Sequence, residues 1–207
     1  MRRVIISVLA LFGFLVFSII AVANEGTIAF VGATIIDGTD ADPLEDGVLV
    51  ITDGRIRTVG PRSAVTLPSG TEVIDVAGKY IMPGLINAHG HVGATVGLNG
   101  NGGYTRNNLL RQLGLYARYG VTSVNSLGGD QVEGFDLRNE QFDNGLNRAR
   151  IYVAGSVVVG DSEQAIRDEV NRNADMGADF IKVRIDDNLG ASEKMSRPFF
   201  EALVDQA

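Results

Sequence analysis

The chain has 207 residues, enough for one domain or for a small domain and part of a larger one. Its 25 acidic and 18 basic side chains leave a formal charge of -7, with no basic cluster after residue 3, so the charge gives nucleic-acid binding no support. Cysteine is absent, which excludes disulfides, thiolate metal ligands, a cysteine nucleophile and lipid attachment through cysteine.

Met1-Arg2-Arg3 precedes the apolar run Val4 to Ala23, which ends in the small-x-small triplet Ala21-Val22-Ala23. This is the pattern of a secretory signal peptide, residues 1–23, cleaved before Asn24 and making the protein secreted or periplasmic. The run is nearly long enough to cross a bilayer, so the alternative is an uncleaved anchor over residues 4–23, the chain's one route to a membrane.

Residues 24–79 alternate short β-type runs with turn signals, the pattern of a β-sandwich. Asp53-Gly54, between Val48–Ile51 and Arg55–Val59, predicts a hairpin, because a type I′ turn needs positive φ at both central residues. Asp37, Asp53 and Asp75 fall at turns, where aspartate bonds to nearby backbone. None of this region reads as catalytic.

From residue 80 to 207 apolar runs alternate with helical stretches, which predicts βα units around a parallel sheet. Strands are expected at Ile81–Ile86, Val121–Ser126, Ile151–Val159 and Asp179–Ile185. Helices are expected at Arg106–Tyr119, Asp136–Asn147, Ser162–Met176 and Arg197–Ala207. The loop Gly93–Gly103 matches neither phosphate-binding glycine pattern and is expected to border substrate. Asp130, after Gly128-Gly129, is read as a turn or substrate-loop residue.

Both histidines, His89 and His91, stand two apart at the end of the first of these strands, a spacing that turns two side chains to one face. Two converging imidazoles suit zinc or another divalent first-row metal, and a catalytic site needs one more protein ligand and an open position. Two hydrogen-bonded structural histidines are the alternative. Lys182 lies inside the apolar run Phe180–Val183, on the same face as Arg184. Burial there would favour its neutral amine, unless the side chain snorkels to solvent.

The run Met82-Pro83-Gly84-Leu85-Ile86-Asn87-Ala88-His89-Gly90-His91 closely resembles the amidohydrolase superfamily of metal-dependent hydrolases. The likeness extends through Val31–Gly38, Asp53–Ile56, Gly120–Val124 and Gly177–Val183, and looks most like the dipeptidase and imidazolonepropionase-related branch. It implies an α/β fold in which a β-sandwich precedes a TIM-type (β/α)8 barrel. It also implies one or two divalent ions, zinc as the expected metal, held by His89, His91 and a carbamylated Lys182. The implied reaction is hydrolysis of C–N bonds in small-molecule amides, cyclic amides or Xaa-Pro-type dipeptides.

No histidine follows His91, so the family's two further histidines, and its catalytic aspartate on the eighth strand, have no counterpart here. A whole barrel takes about 250 residues and roughly half as many follow Lys79, enough for about four βα units. The reading is therefore the first half of a truncated barrel, from a longer enzyme and inactive alone. A half-barrel completed by a second chain and a non-catalytic binding protein of this fold are the alternatives.

Overall fold

The computed structural model describes residues 26–100, 103–143 and 145–207. The signal peptide or anchor expected over residues 1–23 lies outside them. Among the described residues no helix is long and apolar enough to cross a membrane.

The chain begins with β1 (Ile28–Ile35), whose Ala29, Val31, Ala33 and Ile35 are buried on one face. Antiparallel to it runs β2 (Leu44–Thr52), which pairs in turn with β3 (Arg55–Pro61). Asp53 and Gly54 join β2 to β3 with φ of 52° and 68°, the doubly left-handed turn that the sequence predicts. Two short strands, β4 (Glu72–Asp75) and β5 (Tyr80–Ile81), then pair in succession with the other edge of β1, both parallel to it. The predicted turn roles of Asp37 and Asp75 hold, since each carboxylate accepts a backbone N–H two residues ahead, from Thr39 and Ala77.

The expected β-sandwich is here one five-stranded sheet, because β4 and β5 extend the layer that holds β1. Among the described residues a loop does the covering: Val65 and Leu67, between β3 and β4, pack on Ala29, Val31, Val48 and Val50.

Parallel strands then alternate with helices. The order is β6 (Leu85–Gly90), α1 (Arg106–Arg118), β7 (Val121–Ser126), α2 (Val132–Asn139), β8 (Arg150–Val153), β9 (Val157–Val158), α3 (Glu163–Asp175), β10 (Lys182–Val183) and α4 (Arg197–Gln206). Strands β6, β7 and β8 form one parallel sheet in that order, and β9 pairs with β10 in another. Hydroxyl caps start three helices: Thr105, Ser162 and Ser196 each accept the N–H three residues on. Leu109 and Leu113 of α1 pack with Val124 and Ile151, and Ile166 and Val170 of α3 pack with Val158 and Leu203.

Four elements differ from the sequence-based expectation. The strand expected at Ile81–Ile86 is interrupted at Met82-Pro83-Gly84, where proline has no N–H for a ladder; Tyr80–Ile81 joins the first sheet and β6 begins at Leu85. The strand expected at Ile151–Val159 breaks at Ala154-Gly155-Ser156. There the buried Asn173 side chain bonds both the N–H and the C=O of Ser156, taking the place of a ladder. Of Asp179–Ile185 only Lys182 and Val183 are paired, because Asp179 caps β8 instead, accepting the N–H of Val153 while Arg138 holds its carboxylate. Finally α2 starts four residues earlier than expected and tightens into a 3₁₀ turn at 140–142, which brings the Gln141 amide to the N–H of Ile151.

Candidate metal centre

The C-terminal end of β6 is held on three sides. The Asn87 carboxamide oxygen accepts the N–H of His89 at 3.1 Å, and its nitrogen donates to the Tyr116 hydroxyl on α1. Gly90 C=O accepts from Leu127 N–H at 2.8 Å, and Val92 N–H donates to the Ser126 hydroxyl. Asn87, Gly90 and Val92, around the two histidines, are therefore anchored to α1 or to the end of β7, while both rings reach solvent.

The ring centroids of His89 and His91 lie 5.5 Å apart with planes tilted by 56°. A zinc ion bound by imidazole nitrogen sits roughly 3.2 Å from the ring centre, so two rings on one ion have centres at most about 6.4 Å apart. The observed spacing falls within that limit.

Both histidines, together with Leu127, Lys182, Arg184 and Lys194, line an open cleft of about 640 Å³. The structure thus brings the three predicted site residues to one cavity, across the gap between β6 and β10. His91 also borders a second cleft of about 510 Å³ against α1. Lys182 is half-buried, which corrects the expectation of a buried lysine: β10 is two residues long and among the described residues pairs with β9 alone. Its stem is positioned by Gly128, whose φ of 98° excludes ordinary side chains; a Cβ there would lie 2.5 Å from Val157 and 3.4 Å from the Lys182 Cγ.

Among the described residues no group of three His, Cys, Asp or Glu could hold a metal. The donor set is two imidazoles and one lysine amine, and the lysine becomes an oxygen donor only as a carbamate.

Asp130 is neither an exposed turn residue nor part of this cleft. It is buried beneath the strand ends, accepting hydrogen bonds from the Ser126 hydroxyl at 2.6 Å, the Tyr104 hydroxyl at 3.1 Å and the N–H of Ala154 at 2.9 Å. Burial pushes its pKa up, against the lowering effect of those donors. Burial, and then the Asp130 charge, likewise raise the Tyr104 phenol. With Ser126 also bonded to Val92, this carboxylate ties together the ends of β6, β7 and β8. Arg184 and Lys194 were not singled out as site residues by sequence; period-two alternation from Lys182 points to the first, and no local pattern points to the second.

No family model matches the chain. In sequence, it is 38% identical over 66 residues to a 5-methylthioadenosine/S-adenosylhomocysteine deaminase of Symbiobacterium thermophilum, a match covering 31% of this chain and 15% of that protein. It is 39% identical over 61 residues to an imidazolonepropionase of a Methylobacterium species, covering 29% and 15%. In structure, it superposes on a Xaa-Pro dipeptidase with a TM-score of 0.74 at 17% identity, covering 88% of this chain and 54% of the other. The chain thus spans about half the length of that dipeptidase, and its matches cover a small fraction of the two sequence relatives. Over these stretches the chain is similar in sequence to enzymes of the amidohydrolase superfamily, and its strands and helices are arranged as in that dipeptidase.

Proposed function

We propose that the chain belongs to a metal-dependent hydrolase of C–N bonds in small-molecule amides or dipeptides. In this reading His89 and His91 ligate a divalent ion, zinc, and Lys182, carbamylated, is the third protein ligand. The observation that carries it is the convergence of those three side chains, His89 from β6, His91 just after it and Lys182 from β10, on one cleft. An ion held there supplies Lewis-acid polarisation of a carbonyl and a more acidic water. The chain's own contribution is orientation: Asn87, Leu127 and Ser126 fix the backbone around the imidazoles, and Gly128 leaves room for the lysine stem. Carbamylation forms a bond between the neutral Lys182 amine and the carbon of carbon dioxide and releases one proton to solvent. In a second part of the reading, residues 1–23 direct export, residues 24–79 form the leading β domain and residues 80–207 contribute to the barrel.

The test is zinc content after gel filtration of the purified chain. One to two zinc ions per chain are expected, falling with His89→Ala and His91→Ala, and with Lys182→Ala or removal of bicarbonate. Content unchanged in both histidine variants would end the metal assignment. Zinc-dependent release of amine from N-acyl amino acids and Xaa-Pro dipeptides, measured on the longest natural form carrying these residues, tests the reaction. The mass of the secreted N-terminus separates cleavage before Asn24 from a retained anchor.

A further inference from the structure

Three polar side chains stand four apart on α1: Asn108, Gln112 and Tyr116. That spacing puts them on one row of the helix, beside Leu109 and Leu113, which pack into the core. The Gln112 carboxamide is used at both ends. Its oxygen accepts the N–H of Gly93 at 2.8 Å, and its nitrogen donates to the C=O of Thr95 at 2.8 Å. The Asn108 nitrogen donates to the same Thr95 C=O and to that of Gly103, both at 2.8 Å, while Arg111 donates to the Asn108 oxygen. Tyr116 serves the other histidine, since its hydroxyl accepts from Asn87, whose oxygen takes the N–H of His89. This row thus ties α1 to the chain on either side of the imidazoles.

We infer that Gln112 is a positioning residue for His91, as Tyr116 is for His89 through Asn87, so that α1 sets the two imidazoles separately; this rests on the metal reading above. The strand cannot do this for His91, because β6 ends at Gly90 and its last pairing lies before the second histidine. Instead the two peptide N–H groups that follow His91 are divided between neighbours. Val92 donates to Ser126 at the end of β7, and Gly93 to Gln112 on α1. Gly93 has φ of 81°, and a Cβ there would come within 2.9 Å of the Leu109 side chain, so the backbone lies against α1 at this point. Two successive peptide groups held from two elements fix the direction in which the His91 side chain leaves the chain. Gln112 also lines the cleft of about 510 Å³ that His91 borders. Ligand direction matters to a metal, and residues that orient ligands typically change its affinity by about 10- to 100-fold.

The test uses the full chain with selectively labelled histidine, which gives two imidazoles to follow by nuclear magnetic relaxation. In the zinc-free chain, Gln112→Met should lower the order parameter of the His91 ring and leave the His89 ring unchanged, and Tyr116→Phe should do the reverse. Each should weaken zinc binding about ten-fold or more, measured by competition with a chelator. Leu110→Gly weakens the same helix at an exposed position off this row, and should lower Tm with both rings and the zinc affinity unchanged. Rings that loosen together or not at all, or an equal loss of zinc affinity in Leu110→Gly, would each overturn the inference. Zinc uptake untouched by Gln112→Met removes it alone and leaves the metal reading standing. Selective loosening in a chain that takes up no zinc keeps the positioning and removes the metal reading.

Discussion

In the N-terminal sheet, residues 26–81, strand backbone pairs with strand backbone, nine-residue β2 against both neighbours, and polar side chains serve turns. In the half that carries the imidazoles the ladders are short, down to the two residues of β9 and β10, and buried side chains finish them. Gln141 serves Ile151, Asp179 serves Val153, Asp130 serves Ala154 and Asn173 serves Ser156. The difference teaches where a site is made. A continuous ladder presses side chains into strict alternation, whereas strand ends held by carboxylates and amides are freed from it, and the cleft with the imidazoles lies in this second half.

The comparison breaks most severely through the cores. Ile151→Ala, at a fully buried position packed with Leu109 and Leu113, should cost about 4 kcal/mol in urea unfolding of the second half. Because the sheet packs in separate clusters, hydrogen exchange at Val48–Ile51 should be unaltered. Loss of protection there would show one shared core.

Asp130→Ala strands three buried donors and should cost about 3 kcal/mol, while Asp130→Asn should cost less. The pair also sharpens the electrostatic contrast. The folded Asp130 pKa is raised above the ordinary 3.8, so its contribution to stability is full below pH 3.8 and is lost as pH rises through the folded value. Urea titrations across that window should show this slope in the wild type and not in Asp130→Asn.

Gly54→Val forces a branched side chain into φ of 68° and should cost about 1.5 kcal/mol, with lost exchange protection confined to the β2–β3 hairpin. The smallest effect belongs to the exposed pair of Arg106 and Glu140, whose bidentate hydrogen bonds hold the glutamate pKa below 4.5. Its contribution is full above pH 4.5 and disappears as pH falls through the lowered folded value. The difference in Tm between wild type and Arg106→Ala should therefore be small at pH 7 and shrink toward zero as pH falls through the lowered folded value.

Much of the helical layer was legible. Ser162 as a cap and Gly177 as a terminator bracket α3 because both act on backbone within a few residues, and Asp53-Gly54 marks its hairpin for the same reason. The His89 and His91 pair was legible as a spacing, and Lys182 as a cation in an apolar run. Less was visible where strands end. Asn173 and Asp179 are ordinary polar letters at the close of a helix and the start of a run, and their partners, Ser156 and Val153, lie 17 and 26 residues away.

The sequence by itself determined the alternation of strands and helices, the hairpin, the helix caps and the residues able to ligate a cation, because each depends on periodicity or on neighbours along the chain. Tertiary structure alone decided that β4 and β5 join the layer of β1, that Asp130 is a buried tie rather than a turn, and that Lys194 lines the same cleft as the imidazoles. Those outcomes depend on which distant groups compete for the same hydrogen bonds and the same space, and that competition exists only once the chain has folded.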